Sequence, residues 1–305
     1  NHRNPWNFVR NGTPVGPLKG YAAGIVTDEA IHWLRAWRDK SKPFFLYVCY
    51  HEPHEPIATD PRFEKDYPSA DPSYTAYWAN VAQMDASFGR LMAELDKQKL
   101  REDTFVFFTS DNGPEVPTVI NMRKTHKHDG ARPWRGVKRD NWEGGHRVPF
   151  IARWPGKIKP GSTSKQTICL TDLMATCAAI VGAKLPNDGA EDSYNILPAL
   201  LGTDDGKPIR KYTLHQTITL ALAIRRGPWK YLDHRGSGGN NYERKGESGL
   251  KQFALPERAP DAPGQLYNLA NDPGETINLY NEHPKIVKTL KAKLEAFKKS
   301  GRSAP

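Results

Sequence analysis

The chain has 305 residues, 38% hydrophobic and 26% charged, with 25 Gly and 25 Pro. That mix excludes a disordered polyelectrolyte and fits one large domain plus a small one. No run of about 18 apolar residues occurs, so no transmembrane helix is predicted; the three cysteines give no disulfide framework, and the net charge of +10 suits a polyanionic partner.

The predicted elements alternate. Thr27, followed by Asp28 and Glu29, reads as the N-cap of a helix running to about residue 40. Ala30, Trp33, Leu34 and Trp37 form its apolar stripe. Residues 44–50 read as a strand that runs into a turn rich in His and Pro. Ser73 is the expected cap of a long helix to about residue 97, with Tyr77, Val81, Met84, Phe88, Leu91, Met92 and Leu95 on one side. Residues 105–109 form the next strand. Phe105 to Phe108 lack polar alternation, as in a strand covered on both faces. Residues 113–146 make a long loop, a length typical of functional segments. A strand at 148–154 and a helix from Thr171 to about residue 181 follow. This order describes an α/β fold with a doubly wound sheet. Gly, Asp, Lys and Pro concentrate at 202–208, which places a domain boundary there and divides the chain into 1–205 and 206–305. Beyond it, short strands at 212–217, 222–226 and 230–232 precede a Pro-started helix at 284–299. That is a small antiparallel sheet with one covering helix.

Three segments carry chemistry. The strand at 105–109 stops on Asp111-Asn112-Gly113. Ligands of open α/β sheets sit at the carboxyl ends of strands, and a carboxylate beside an amide oxygen suits a hard cation such as Ca²⁺ or Mg²⁺. The same tripeptide also makes an ordinary turn. The second segment runs from Arg135 through Gly136, Lys138, Glu143-Gly144-Gly145 and His146 to Arg147-Val148-Pro149. The third is the strand at 44–50 with its turn His51-Glu52-Pro53-His54-Glu55-Pro56. Together, in their order along the chain, they resemble the type I sulfatases, the formylglycine-dependent arylsulfatase family. Residues 223–231, and 265–275 with their Asn271-Asp272-Pro273-Gly274-Glu275 ending, resemble the small C-terminal domain of that family. The resemblance spans the chain from about Gly20 to the last helix.

It implies an alkaline-phosphatase-like fold and a sulfuric ester hydrolase acting on sulfated carbohydrate. It also implies roles. Lys138 corresponds to the active-site lysine that touches sulfate and leaving oxygen. His54 corresponds to the sulfate-contacting histidine, and a histidine can give a proton to the leaving oxygen. His51 can share that role. Asp111 and Asn112 correspond to two ligands of one Ca²⁺, and His128 and His215 are expected to line the substrate cleft. His126 and His128 at alternate positions also have a zinc-site reading, which the oxygen-only metal motif beside them disfavours. Asp85 and Glu143 are read as structural. The family's nucleophile pattern, Cys/Ser-x-Pro-x-Arg, does not occur here, nor does its opening strand with paired aspartates. The chain is therefore expected to be the C-terminal portion of a longer enzyme and inactive by itself, with any signal peptide upstream. The resemblance implies a periplasmic or extracellular protein. Two other functions are weighed. One is a phosphodiesterase or phosphatase of the same superfamily; its relatives carry Asp-His where this chain has Asp111-Asn112, because zinc prefers imidazole. The other is a non-catalytic polyanion-binding protein; nucleic acid is not the expected partner, because the basic residues are scattered.

Overall fold

A computed structural model of the chain describes residues 2–69, 71–116, 122–123, 126–128, 130–243 and 250–304. It divides into two compact units, 1–104 with 121–128, and 105–120 with 129–305.

In the first unit a two-residue pair, β1 (Val9–Arg10) and β2 (Thr13–Pro14), precedes α1 (Ala22–His32). The helix starts five residues before Thr27. Ala22 and Ala23 are fully buried, and Thr27 lies inside the helix with its hydroxyl 3.2 Å from the Tyr50 hydroxyl. A buried hydroxyl thus finds a side-chain partner instead of a capping role. After His32 the helix widens into a π-turn, Trp33–Trp37, closed by Arg38 N–H donating to Trp33 O at 3.0 Å. The wider turn shifts the helical register. Leu34 stays buried, but Trp37, predicted for the same stripe, is 49% exposed.

The short α2 (Pro61–Glu64) and the long α3 (Pro72–Lys97) follow. Asp71, not Ser73, caps α3: its carboxylate accepts the Ser73 N–H at 2.9 Å, and Pro72 occupies the first position. Proline there gives up only an N–H that has no helical partner. α3 packs on α1, burying Leu91 and Leu95 with the polar Asn80, Gln83, Ser87 and Glu94. Glu94 receives both Arg35 donors, at 2.8 and 2.5 Å. Residues 44–50 alternate between half-buried and exposed, with Phe45 and Tyr47 outward. They are not a strand here, because no ladder partner lies alongside among the described residues; an extended segment becomes a strand only through pairing.

The second unit holds β3 (Val106–Thr109), which pairs antiparallel with β4 (Phe150–Arg153). β3 is half-buried throughout rather than covered on both faces. Between them, α4 (Glu143–His146) interrupts the predicted loop. α5 (Asp172–Val181) and α6 (Leu197–Leu201) each end on a left-handed glycine, Gly182 and Gly202, the usual C-terminal stop. A four-stranded antiparallel sheet follows, in the order β5 (Thr213–Gln216), β6 (Leu222–Arg226), β7 (Trp229–Leu232) and β8 (Gln265–Asn268). α7 (Pro284–Ser300) covers it. Val287, Leu290, Leu294 and Phe297 recur at helical spacing and bury against Ile224, Tyr231 and Leu266. Each buried Val, Leu, Ile or Phe side chain contributes about 1.5–3 kcal/mol by leaving water. β8 is the strand that pattern reading passed over, because the same residues read first as a motif.

Candidate active site

The carboxyl end of β3 and the segment from Arg135 to Arg147 are clasped together. Gly113 N–H donates to Gly145 O at 3.0 Å, and Lys138 N–H donates to Pro114 O at 2.9 Å. The clasp leaves no room for side chains. A Cβ at Gly113 would lie 1.8 Å from Gly144 O, and one at Gly144 would lie 2.4 Å from Gly136 O. The glycines of the Glu-Gly-Gly run are therefore required by backbone-on-backbone packing. Lys138 projects from a tight loop whose flanking Gly136 and Arg139 have φ of +94° and +82°. Asp140 holds that loop from within, accepting from Val137 N–H at 2.9 Å and from the Tyr242 hydroxyl at 2.7 Å.

Asp111 and Asn112 thus stand on the turn to which the Lys138 loop is fastened. Asp111 Oδ1 accepts the Asn112 N–H at 2.9 Å, and the Asn112 amide donates to Gly113 O at 2.9 Å. Asp111 Oδ2 and Asn112 Oδ1 take no hydrogen bond from the described residues. Two uncommitted hard oxygens fit a Ca²⁺. The Lys138 ammonium lies 3.1 Å from Glu115, which Arg139 also grips at 2.7 and 3.1 Å. Only its place in the Asn-Gly-Pro-Glu turn beside the metal motif signals Glu115 in the sequence. Against the upward push of burial, Arg139 and Lys138 hold its carboxyl down at about 2.

The other predicted histidines divide. His51 and His54 lie in the first unit, on a turn closed by His54 N–H donating to His51 O at 2.8 Å. His2 packs beside both rings, at 5.3 and 6.3 Å between centroids. The buried Glu52 between them accepts from Ala23 N–H and the Gln83 amide. His128, also in the first unit, lies 4.9 Å from the Trp78 ring, and His126 pairs with Asp71 at 3.1 Å. His215 lies in the second unit, its ring stacked 3.7 Å from that of His146.

Behind the clasp lies a network that sequence reading missed. Lys230, fully buried on β7, sits 3.0 Å from Glu143 and 3.0 Å from Glu275. Its ammonium also approaches His146 Nε2 at 3.2 Å, while Arg225 and Arg147 reach Glu143 at 3.2 Å. Glu143, read as structural, is buried at its centre. Burial pushes Glu143 up, but the charges around it, Lys230 foremost with Arg225 among the others, together outweigh it and leave the group below the usual carboxylate range. Among the described residues, Glu143, His146 and His215 form one group of possible metal ligands. The Lys230 ammonium, 3.0 Å from Glu143 and 3.2 Å from His146 Nε2, already brings a positive charge to two of the three groups, which disfavours a metal there.

The network predicts acid sensitivity. Burial, then Lys230, pushes His146 down to about 3; burial, then His146 and Lys230, pushes His215 well below its usual value. Both are neutral in the fold and charge on unfolding. Their contribution is complete above the unfolded value near ~6.5 and is lost as pH falls below it. From pH ~6.5 to ~5 each loses at most about 2 kcal/mol. Glu275, raised to about 7 by burial, acts in the opposite sense, so a variant isolates the histidine. In urea unfolding, the advantage of wild type over His146→Gln should shrink from pH ~7.5 to ~5. An advantage independent of pH contradicts the neutral assignment.

The profile of the Sulfatase family matches residues 1–183. The chain belongs to that family. It is 33% identical over 303 residues to an N-acetylgalactosamine-6-O-sulfatase of Bacteroides thetaiotaomicron, covering 96% of this chain and 56% of that protein. It is 30% identical to the steryl-sulfatase of Mus musculus, covering 92% of this chain and 45% of that protein. A solved sulfatase structure, described under the metabolism of multiple glycosaminoglycans by Bacteroides thetaiotaomicron, superposes with a TM-score of 0.75 at 30% identity. That match covers 95% of this chain and 59% of that one. The fold is therefore the alkaline-phosphatase-like fold of the sulfatases. The chain spans about half the length of the curated relatives it matches. No helix among the described residues is long and apolar enough to cross a membrane.

Proposed function

We propose that the protein carrying this chain is a sulfuric ester hydrolase that releases sulfate from sulfated carbohydrate, R–O–SO₃⁻ and water giving R–OH and sulfate. The observation that carries the reading is the clasp fixing the Lys138 loop on the Asp111-Asn112 turn within a sulfatase-family chain. The N-acetylgalactosamine-6-O-sulfatase relative supports the carbohydrate class. In this reading Lys138 places a fixed positive charge at the sulfate and the leaving oxygen, where negative charge develops. His54, with His51 beside it, orients the sulfate and supplies a proton to the leaving oxygen. His128 and His215 contribute to substrate binding. Asp111 and Asn112 hold one Ca²⁺, which supplies charge stabilisation to the sulfate when bound. The Cys/Ser-x-Pro-x-Arg pattern does not occur in the sequence, so no nucleophile is assigned to it. We further propose that residues 1–205 belong to the catalytic domain and 206–305 to a C-terminal subdomain. A periplasmic or extracellular location accompanies the sulfated-glycan substrate.

The metal gives the test. The full-length protein should hydrolyse an aryl sulfate, lose that activity on exhaustive chelation and regain it with Ca²⁺ but not with Zn²⁺, because the two ligands are hard oxygens. Asp111→Ala should bind Ca²⁺ at least about 10-fold more weakly by calorimetry. Stoichiometric zinc with phosphodiester hydrolysis in place of sulfate release would move the assignment to the phosphodiesterase branch.

A further inference from the structure

Glu275 lies in a turn after β8, more than a hundred residues from Lys138 in sequence, yet its carboxylate reaches the segment that carries Lys138. It is fully buried. Its own backbone is left-handed, with φ of +52°, a conformation that costs a non-glycine residue and persists only when the surroundings impose it. Its Oε2 accepts the main-chain N–H of Glu143 at 2.6 Å, and its carbonyl accepts from Arg135 Nη1 at 3.0 Å. Both ends of the Arg135–Glu143 loop are thus tied to one residue. Lys230 stands 3.0 Å from Oε1, an ion-pair contact without hydrogen-bond alignment. The next links are backbone to backbone. Gly144 N–H donates to Arg135 O at 2.7 Å, and Gly145 O accepts from Gly113, the neighbour of Asn112. Gly113, Gly144 and Gly145 have no space for a Cβ, so the backbones along this path lie in direct contact.

We propose that Glu275 is a positioning residue for the sulfate-releasing site: by accepting the Glu143 N–H it fixes the Glu143-Gly144-Gly145 run, and through that run the Lys138 loop and the Asp111-Asn112 turn. The inference rests on the proposed role of Lys138 for its kinetic consequence, but not for the latch itself. The carboxylate acts as a placed acceptor, so an amide oxygen at the same point should serve. An aspartate, one methylene shorter, should not.

The test uses the full-length protein and a series of aryl sulfates of graded leaving-group acidity. Glu275→Asp should lower kcat by about 10–100-fold, the cost of a misplacement near 1 Å, with KM moving less than about 3-fold. The loss should grow as the leaving group becomes poorer, as it does for Lys138→Ala, because both remove charge stabilisation from the leaving oxygen. Glu275→Gln should stay within about 3-fold of wild type, since it keeps the acceptor. Adding Glu275→Asp to Lys138→Ala should cost less than about 3-fold more, because residues acting as one unit are not additive. A Gln variant as slow as the Asp variant, a loss independent of the leaving group, or losses that multiply in the double variant would each overturn the proposal. Hydrogen exchange reads the latch apart from activity: the amides of residues 143–145 should exchange faster in Glu275→Asp than in wild type. If wild type releases no sulfate but this difference is present, the functional reading falls and the latch stands. If exchange is unchanged, the latch falls whatever the activity.

Discussion

Lys138→Ala in the full-length protein should lower kcat on an aryl sulfate by about 10²–10³-fold, the usual cost of deleting one preorganised charge-stabilising group. The variant should remain folded. The loop is held by main-chain bonds to Pro114 and by Asp140, none of which uses the Lys138 side chain. Glu115, the partner lost from the ammonium, keeps both Arg139 contacts, so no carboxylate is left uncompensated. Lys138→Arg should recover only part of the rate, because a planar guanidinium cannot present the same point charge in a loop this tight. Steady-state kcat and KM with thermal unfolding of the same samples decide the matter; full turnover in Lys138→Ala would remove this residue from the reaction.

Lys230→Met is expected to have the largest effect on stability. The lysine is buried between Glu143 and Glu275, which are themselves buried. Removing one partner of a buried ion pair costs about 3–5 kcal/mol, because the remaining charge is stranded away from water. Glu143 retains Arg225 and Arg147 at 3.2 Å, so the stranded group is Glu275. Its carboxyl, already raised to about 7 by burial, should take up a proton, and the loss should therefore be smaller at pH ~5 than at pH ~8. Urea denaturation at the two pH values measures both effects. A loss under about 1 kcal/mol at pH ~8 would show that the network contributes little.

The Lys230 network was illegible in the sequence for a definite reason. Lys230 follows Trp229 in a short apolar strand, where a lysine reads as an edge or surface residue. Nothing local says that β7 is central, flanked by β6 and β8. β8 itself lies more than thirty residues further on, and Glu275 lies beyond it. Trp37 failed differently: an ordinary helix puts it on the buried stripe, but one π-turn of a single extra residue rotates it outward. Thr27 and Ser73 resemble caps by residue type alone. The real starts, at Ala22 and at Asp71-Pro72, were set by which residues could be buried and which carboxylate met a free N–H.

The sequence by itself determined the existence and type of the long elements, the family and the residues offered for chemistry. Period and punctuation are local properties, and α3, β6 and α7 show them over enough residues to be unambiguous. So are the motifs: Asp111-Asn112-Gly113, Lys138 and the Glu-Gly-Gly run are contiguous and specific in type. What only the tertiary structure decided is how those motifs are joined. The contact of Gly113 with Gly145, the capture of Glu143 by Glu275 and the burial of Lys230 between two carboxylates are pairings across many residues of chain. Their energies depend on desolvation and on approach distances near the van der Waals limit. Neither quantity exists until the backbone has closed on itself.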